Sequence, residues 1–337
     1  MNSCALVPPD ISAYSPLAKL YAQRFPVGAA IEPWQLETRE GALFAWHFNG
    51  VVAENAMKAP RLQPAEGRFE FAAADRIVEF AERRGMRVRG HTLVWHEETP
   101  EWMWRGPNGG AAGAEQVLER LRTHVRTVVG RYRGRVQSWD VVNEAVDASR
   151  PDCLRDTAWL RAAGPDYIDV AFRAAHAADP AARLLLNDYE TTDPARRACL
   201  ARLAGGLRAR GVPLHGIGHQ LHARLEHPAA DAVDETLALF ASMGLDNEIT
   251  ELDMTLGPAA SPGGDATLLA RQAQRYAELF RVFARRPDVK AVTFWGVSDA
   301  HTWLNMARDA ARPDKPLLFD AGQRPKPAYH AVADAAS

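Results

Sequence analysis

Eight short apolar runs, spaced by amphipathic stretches, constrain this chain more than any other feature. The runs are Val27–Ile31, Phe48–Val52, Arg87–Leu93, Val136–Val142, Arg183–Asn187, Leu214–Gln220, Asn247–Glu251 and Val289–Trp295. Between them, apolar residues fall at helical spacing over Ala74–Arg84, Ala114–Tyr132, Tyr167–Ala178, Pro194–Arg210 and Leu268–Arg285. In the second of these, Val117, Leu118, Leu121, Val125 and Val128 build one buried face. A further helix is expected over residues 11–25, where Leu17, Leu20, Tyr21 and Phe25 fall together. Runs that are apolar throughout belong to strands covered on both faces, and strand–helix alternation implies a parallel sheet. Eight such units predict an α/β fold, a (β/α)8 TIM barrel. One domain then takes up residues 1–337, with its core at about 26–332. No linker, tandem repeat or low-complexity segment marks an appended binding module.

Composition narrows the function classes. Of 337 residues, 47% are hydrophobic and 24% charged, and with a net charge of −2 no nucleic-acid partner is expected. No apolar run approaches the ~20 residues of a membrane span. The segment Met1–Asp10 has neither a basic start nor a long apolar core, so it does not read as a secretory leader. A cytoplasmic location is expected, with secretion or a periplasmic location as the alternative if a leader has been removed. The three cysteines, Cys4, Cys153 and Cys199, are odd in number and far apart. They read as free thiols, with neither metal spacing nor a disulfide framework.

The chemistry gathers at the C-terminal ends of the runs, where such barrels place functional groups. Glu144 ends Trp139-Asp140-Val141-Val142-Asn143-Glu144, and Glu251 sits in Glu248-Ile249-Thr250-Glu251-Leu252-Asp253. Either Glu alone would read as solvated or salt-bridged. Two together are what a double-displacement glycosidase needs, one to protonate the leaving oxygen and one to attack the anomeric carbon. A rival reading takes His215, His219 and His222, at i, i+4 and i+7, as zinc ligands on a helix. Pro213, Gly216 and Gly218 oppose a helix there, and on a strand His219 and His222 face opposite ways. No metal is expected.

With these motifs the chain resembles glycoside hydrolase family 10, the β-1,4-xylanase family, from about Gly28 to Ala331. The resemblance implies that Glu144 is the acid/base, that Asn143 donates to the sugar 2-hydroxyl, and that Glu251 is the nucleophile. It makes His222 the hydrogen-bond partner of Glu251, oriented by Asp253, and it puts Gln220 on the sugar at the cut. In Glu54-Asn55-Ala56-Met57-Lys58, residues Glu54, Asn55 and Lys58 match glycone-side positions. In His91-Thr92-Leu93-Val94-Trp95-His96, residues His91 and Trp95 match the cleavage subsite, and a cis peptide is implied at His91-Thr92. Tyr189 matches the leaving-group side. Trp295 and Trp303 match roofing positions whose bulk would disfavour a hydroxymethyl group and so select xylose. The implied function is a retaining endo-β-1,4-xylanase acting on xylan or xylo-oligosaccharides. It would work through a covalent glycosyl-enzyme, as a monomer, without a cofactor. The alternatives are a related retaining β-glycosidase acting on cellulosic or aryl glycosides, and a non-catalytic sugar-binding barrel. The presence of both carboxylates with their helpers argues against the last.

Some positions depart from the family pattern. Ala59 stands where Trp is usual, Glu190 where Asn is usual, His219 where an apolar or aromatic residue is usual, and Leu221 where a small residue is common. The loop Thr255–Asp265 lacks a cysteine pair that many secreted members carry. These departures bear on the remote subsites and suggest a preference for short oligosaccharides.

Overall fold

The computed structural model describes residues 8–257, 264–306 and 313–337. Its eight parallel strands are Val27–Ile31, Gly50–Ala53, Arg87–Trp95, Ser138–Asn143, Arg183–Asp188, Gly216–His219, Asp246–Thr255 and Val289–Phe294. Each pairs with the next, and the eighth pairs with the first, Val27 opposite Val292, so the sheet closes into the expected barrel. The sixth strand stops at His219, short of the predicted Gln220. Leu221 there takes φ 57°, and a separate three-residue strand, His222–Arg224, then runs beside the end of the seventh.

Burial on both faces explains why the runs are largely apolar. In the first strand all five residues are buried, and in the fourth all six. Close approach also restricts side-chain size. A Cβ added at Gly90 would lie 2.0 Å from the fully buried ring of Trp139.

An outer layer of helices covers the barrel, including Ala72–Glu82, Ala114–Arg131, Asp166–Ala178, Pro194–Ala209, Ala230–Ser242 and Asp265–Arg285. The fourth of these starts cleanly, because the Asp193 carboxylate accepts from the Ala195 and Arg196 amides and Pro194 needs no partner at the first position. The helix predicted over 11–25 is instead two short ones, Pro9–Ser12 and Leu17–Leu20. Pro16 lies between them, and a proline disfavours helical backbone in the residue before it. This N-terminal segment meets the C-terminal helix Pro327–Asp334 at the barrel seam. There Tyr21 Oη donates to Val332 O (2.7 Å), and Tyr329 Oη donates to Ser15 O (2.6 Å).

The cysteines correct the sequence reading. Cys153 and Cys199 form a disulfide, with Cα atoms 5.4 Å apart. It joins the loop after the fourth strand to the helix after the fifth, a proximity that the 46-residue separation conceals. Cys4 lies outside the described residues, as do residues 258–263 of the Thr255–Asp265 loop. Among the described residues, no helix is long and apolar enough to cross a membrane.

Candidate active site

The strand ends bring Glu144 and Glu251 into one hydrogen-bonded network. Glu144 directly follows the fourth strand, and its backbone takes φ 58°. Glu251 lies within the long seventh strand and is buried. Side-chain amides join the two. Gln220 Nε2 donates to Glu144 Oε1 (3.1 Å) and to Asn143 Oδ1 (3.3 Å). Asn187 Nδ2 donates to Asn143 Oδ1 and to Glu251 Oε1, both at 2.8 Å. Thr250 Oγ1 donates to Asn187 Oδ1 (2.7 Å) and so sets which way that amide faces.

The other side of Glu251 is ionic. His222 Nε2 lies 3.2 Å from Glu251 Oε2, and its Nδ1 lies 3.0 Å from Asp253 Oδ1. Burial alone would discharge this imidazole, but Asp253 and then Glu251 outweigh it and push its pKa up to about 10. It therefore stands as an imidazolium between two carboxylates. Burial would likewise raise Glu251, but His222, His91 and Arg89 overcome it and hold the carboxyl at about 2. Glu251 is thus an anion at any ordinary working pH. Trp303 Nε1 donates to Asp253 Oδ2 (2.7 Å) and its ring lies against His222, centroids 5.0 Å apart, so the loop after the eighth strand packs over this ion pair.

Beneath it, His91 Nδ1 donates to Asp140 Oδ2 (2.8 Å) and lies 3.9 Å from Glu251 Oε1. Arg89 pairs with the same Asp140 carboxylate and donates to Thr250 O. His91-Thr92 is a cis peptide, as the resemblance implied. His91, Asp140 and Glu251 offer three ligand atoms within 4.8 Å of one another, but a cation bound there would face the Arg89 guanidinium that already neutralises Asp140. The alternative histidine trio does not converge. His215 Nδ1 accepts from Leu184 N, His219 bonds Thr191 and Asn247, and His222 bonds the carboxylates above.

A cleft opens on either side of this centre. One arm, of about 570 Å³, is lined by Glu32, Trp34, Glu54, Asn55, Arg61 and His301, among others. Here Asn55 Nδ2 donates to Glu32 (2.7 Å), Lys58 Nζ donates to Asn55 Oδ1 (2.8 Å), and the same ammonium lies 5.0 Å from the Trp95 ring centre. Burial and then the neighbouring Glu32 push Glu54 up to about 7, against the pull of Lys58. The other arm, of about 930 Å³, is lined by Trp95, Glu144, Tyr189, Glu190, Gln220 and Trp303, among others. Trp295 packs edge-on to His91 (5.1 Å) and is almost fully buried, whereas Trp303 is exposed. All fourteen expected residues therefore lie at or beside one cleft. Of the departures, Glu190 lines the second arm, while Ala59 is buried at the start of the short helix Ala59–Leu62.

Sequence reasoning missed Arg89, Asp140, Asn187, Glu32 and Arg155. Arg89 and Asp140 had a readable signal, since a charge in the middle of a strand that is buried on both faces must have a buried partner. Asn187 ends its run in Asn187-Asp188-Tyr189, as Asn143 ends the preceding one. Glu32 and Arg155 lie in loops without such a signal.

The profile of Glycosyl hydrolase family 10 matches residues 16–335. Endo-1,4-beta-xylanase B of Paenibacillus barcinonensis is 42% identical over 319 residues, covering 93% of this chain and 96% of that protein. The crystal structure of xylanase B from Clostridium stercorarium F9 superposes with a TM-score of 0.91 at 42% identity, covering 95% of this chain and 100% of that one. A variant of the intracellular xylanase of Thermoanaerobacterium saccharolyticum, in complex with xylotetraose, gives a TM-score of 0.88 at 38% identity, covering 95% and 98%. By sequence and by fold alike, the chain belongs to glycosyl hydrolase family 10.

Proposed function

We propose that the protein is a retaining endo-1,4-β-xylanase that cuts xylan or xylo-oligosaccharides between the two arms of its cleft. The observation that carries this reading is the buried Glu251 anion, braced by the His222 imidazolium and joined through Asn187, Asn143 and Gln220 to a second carboxyl, Glu144. In the first step, a Glu251 oxygen attacks the anomeric carbon while Glu144 gives its proton to the departing glycosidic oxygen. The C–O bond to the leaving sugar breaks and an ester to Glu251 forms. In the second step, Glu144 takes a proton from water, the water oxygen attacks the same carbon, and Glu251 leaves with its electron pair. No cofactor enters either step.

The polar residues Glu54, Asn55 and Lys58, with Trp95, suit the hydroxyls and apolar face of glycone sugars, and Tyr189 suits the leaving side. We assign selection of xylose over glucose to the indoles of Trp295 and Trp303 near the cut. The reading is tested by product analysis on beechwood-type xylan and on xylotetraose, with xylobiosides and cellobiosides compared for rate. Short xylo-oligomers from the polymer are expected, and the Glu251→Ala variant should show no turnover. An active Glu251→Ala variant, or cleavage of neither xylan nor xylotetraose, overturns the assignment.

A further inference from the structure

Glu144 holds its carboxyl over the cleft from a backbone conformation that glutamate rarely adopts. Its φ of 58° lies in the left-handed region, where a side chain crowds the following carbonyl. Such a conformation persists only if the surroundings over-determine it. On the amide side, Glu144 N donates to Asn187 O (2.8 Å). On the carbonyl side, Arg155 Nε donates to Glu144 O (2.8 Å). We propose that Arg155 is a positioning residue for Glu144, clamping its left-handed backbone from the carbonyl side and tying it to Tyr189, a wall of the leaving-group arm.

The guanidinium is well placed for this. Its Nη2 donates to Tyr189 Oη (2.7 Å) and to Val146 O (3.3 Å). The three acceptors are two carbonyls and a phenol, all uncharged, so the hydrogen bonds of Arg155 fix shape instead of neutralising a carboxylate. A planar fork reaching three acceptors at set angles is a task that lysine cannot duplicate. Arg155 is itself anchored. Its own amide donates to Ala145 O (2.8 Å), and Cys153, two residues earlier, is bonded to Cys199 on helix Pro194–Ala209. The same helix brings Arg196 over the Tyr189 ring, 4.0 Å from its centre, with Nη2 on Asp188 (2.6 Å). Acid and leaving-group wall are thus referred to one guanidinium, so displacing it should misaim the proton donor without touching the nucleophile.

This inference rests on the reading of Glu144 as the acid, and the test separates the two. The kcat/KM of Arg155→Gln, Arg155→Lys and Glu144→Ala is measured on phenyl and on 2,4-dinitrophenyl xylobiosides. Departure of the dinitrophenolate needs no proton, whereas departure of phenolate does. For Arg155→Gln, we expect a loss of roughly 10²-fold on the phenyl substrate, the scale of a misplaced general acid, and only a few-fold loss on the dinitrophenyl one. Arg155→Lys should show the same split to a smaller degree, and it decides the matter if the glutamine variant does not fold. Equal losses on both substrates, or none, with the split intact in Glu144→Ala, overturn the positioning role and leave the acid assignment standing. Absence of the split in Glu144→Ala overturns both.

Discussion

At the scale of single residues, the site is organised around one charge. The His222 imidazolium faces Glu251 and Asp253 together, and this keeps Glu251 ionised despite its burial. Replacing His222 with Asn removes the cation and leaves the burial. The Glu251 pKa then rises from about 2 towards or beyond an ordinary carboxylate value, so more of the enzyme is protonated and inactive in acid. The acid limb of kcat/KM should move upward by roughly one pH unit or more, as read from profiles on an aryl xylobioside. Two departures from the family pattern carry a backbone cost at this scale. Glu190 and Leu221 have φ of 48° and 57°, a region where Asn is better tolerated than other side chains. An Asn at the first position is therefore intelligible, and its absence here concerns backbone comfort as well as sugar contact. Glu144, Asn143, Gln220 and Glu251 were legible in the sequence because each ends an apolar run with a group that a packed core would exclude. Arg155 was not legible. It lies in a loop, and its three acceptors become neighbours only when the fourth and fifth strands align.

At the scale of elements, the eight strands were legible because burial on both faces removes polar residues from nearly every position. Their ends were less so, since the turn at Leu221 is a backbone event that leucine does not advertise. Helix Arg39–His47 was hidden because its covered face carries Glu40 and His47, which break the apolar pattern. Glu40 is nonetheless satisfied, by Ser298 and by Gln35 Nε2 (2.9 Å) and His301 Nδ1 (2.6 Å). Helix Ala230–Ser242 does carry a signal, Val233, Leu237 and Phe240 at i, i+4 and i+7. The disulfide was illegible for another reason, because contact between loop and helix is set by barrel register and not by local pattern. Strand packing yields its own expectation. Gly90→Ala pushes a methyl into the Trp139 ring, which is fully buried and packed against Tyr132. A loss of about 1–3 kcal/mol in unfolding free energy is expected from the urea midpoint, with the barrel still formed.

At the scale of the whole molecule, buried titratable groups pull in opposite directions. Burial holds His47, His124 and His219 at about 4, so between that value and 6.5 the unfolded chain binds more protons and stability rises with pH. Burial holds Glu54 at about 7, and Asp188 and Asp299 at about 6, so above the ordinary carboxylate range the folded chain binds more protons and stability falls with pH. Glu248, also raised by burial, joins the carboxyl set, and His96 and His215, also lowered by burial, join the imidazole set, so the two sets offset each other and only a weak dependence of the urea midpoint on pH is expected from about 4.5 to 6.5. In a Glu54→Gln, Asp299→Asn variant the histidines prevail, and the midpoint should climb with pH across that window. The seam between the first and eighth strands has a consequence of a different kind. Tyr21 and Tyr329 stitch the two ends of the chain to each other across it, so the ring of strands has no privileged starting point. Its linear order records only where the polypeptide happens to be open. A circularly permuted version, joined by a short linker at the seam and reopened in the exposed turn at Gly109 and Gly110, should fold to the same barrel and keep its cleft, with far-UV circular dichroism and xylotetraose cleavage as the checks.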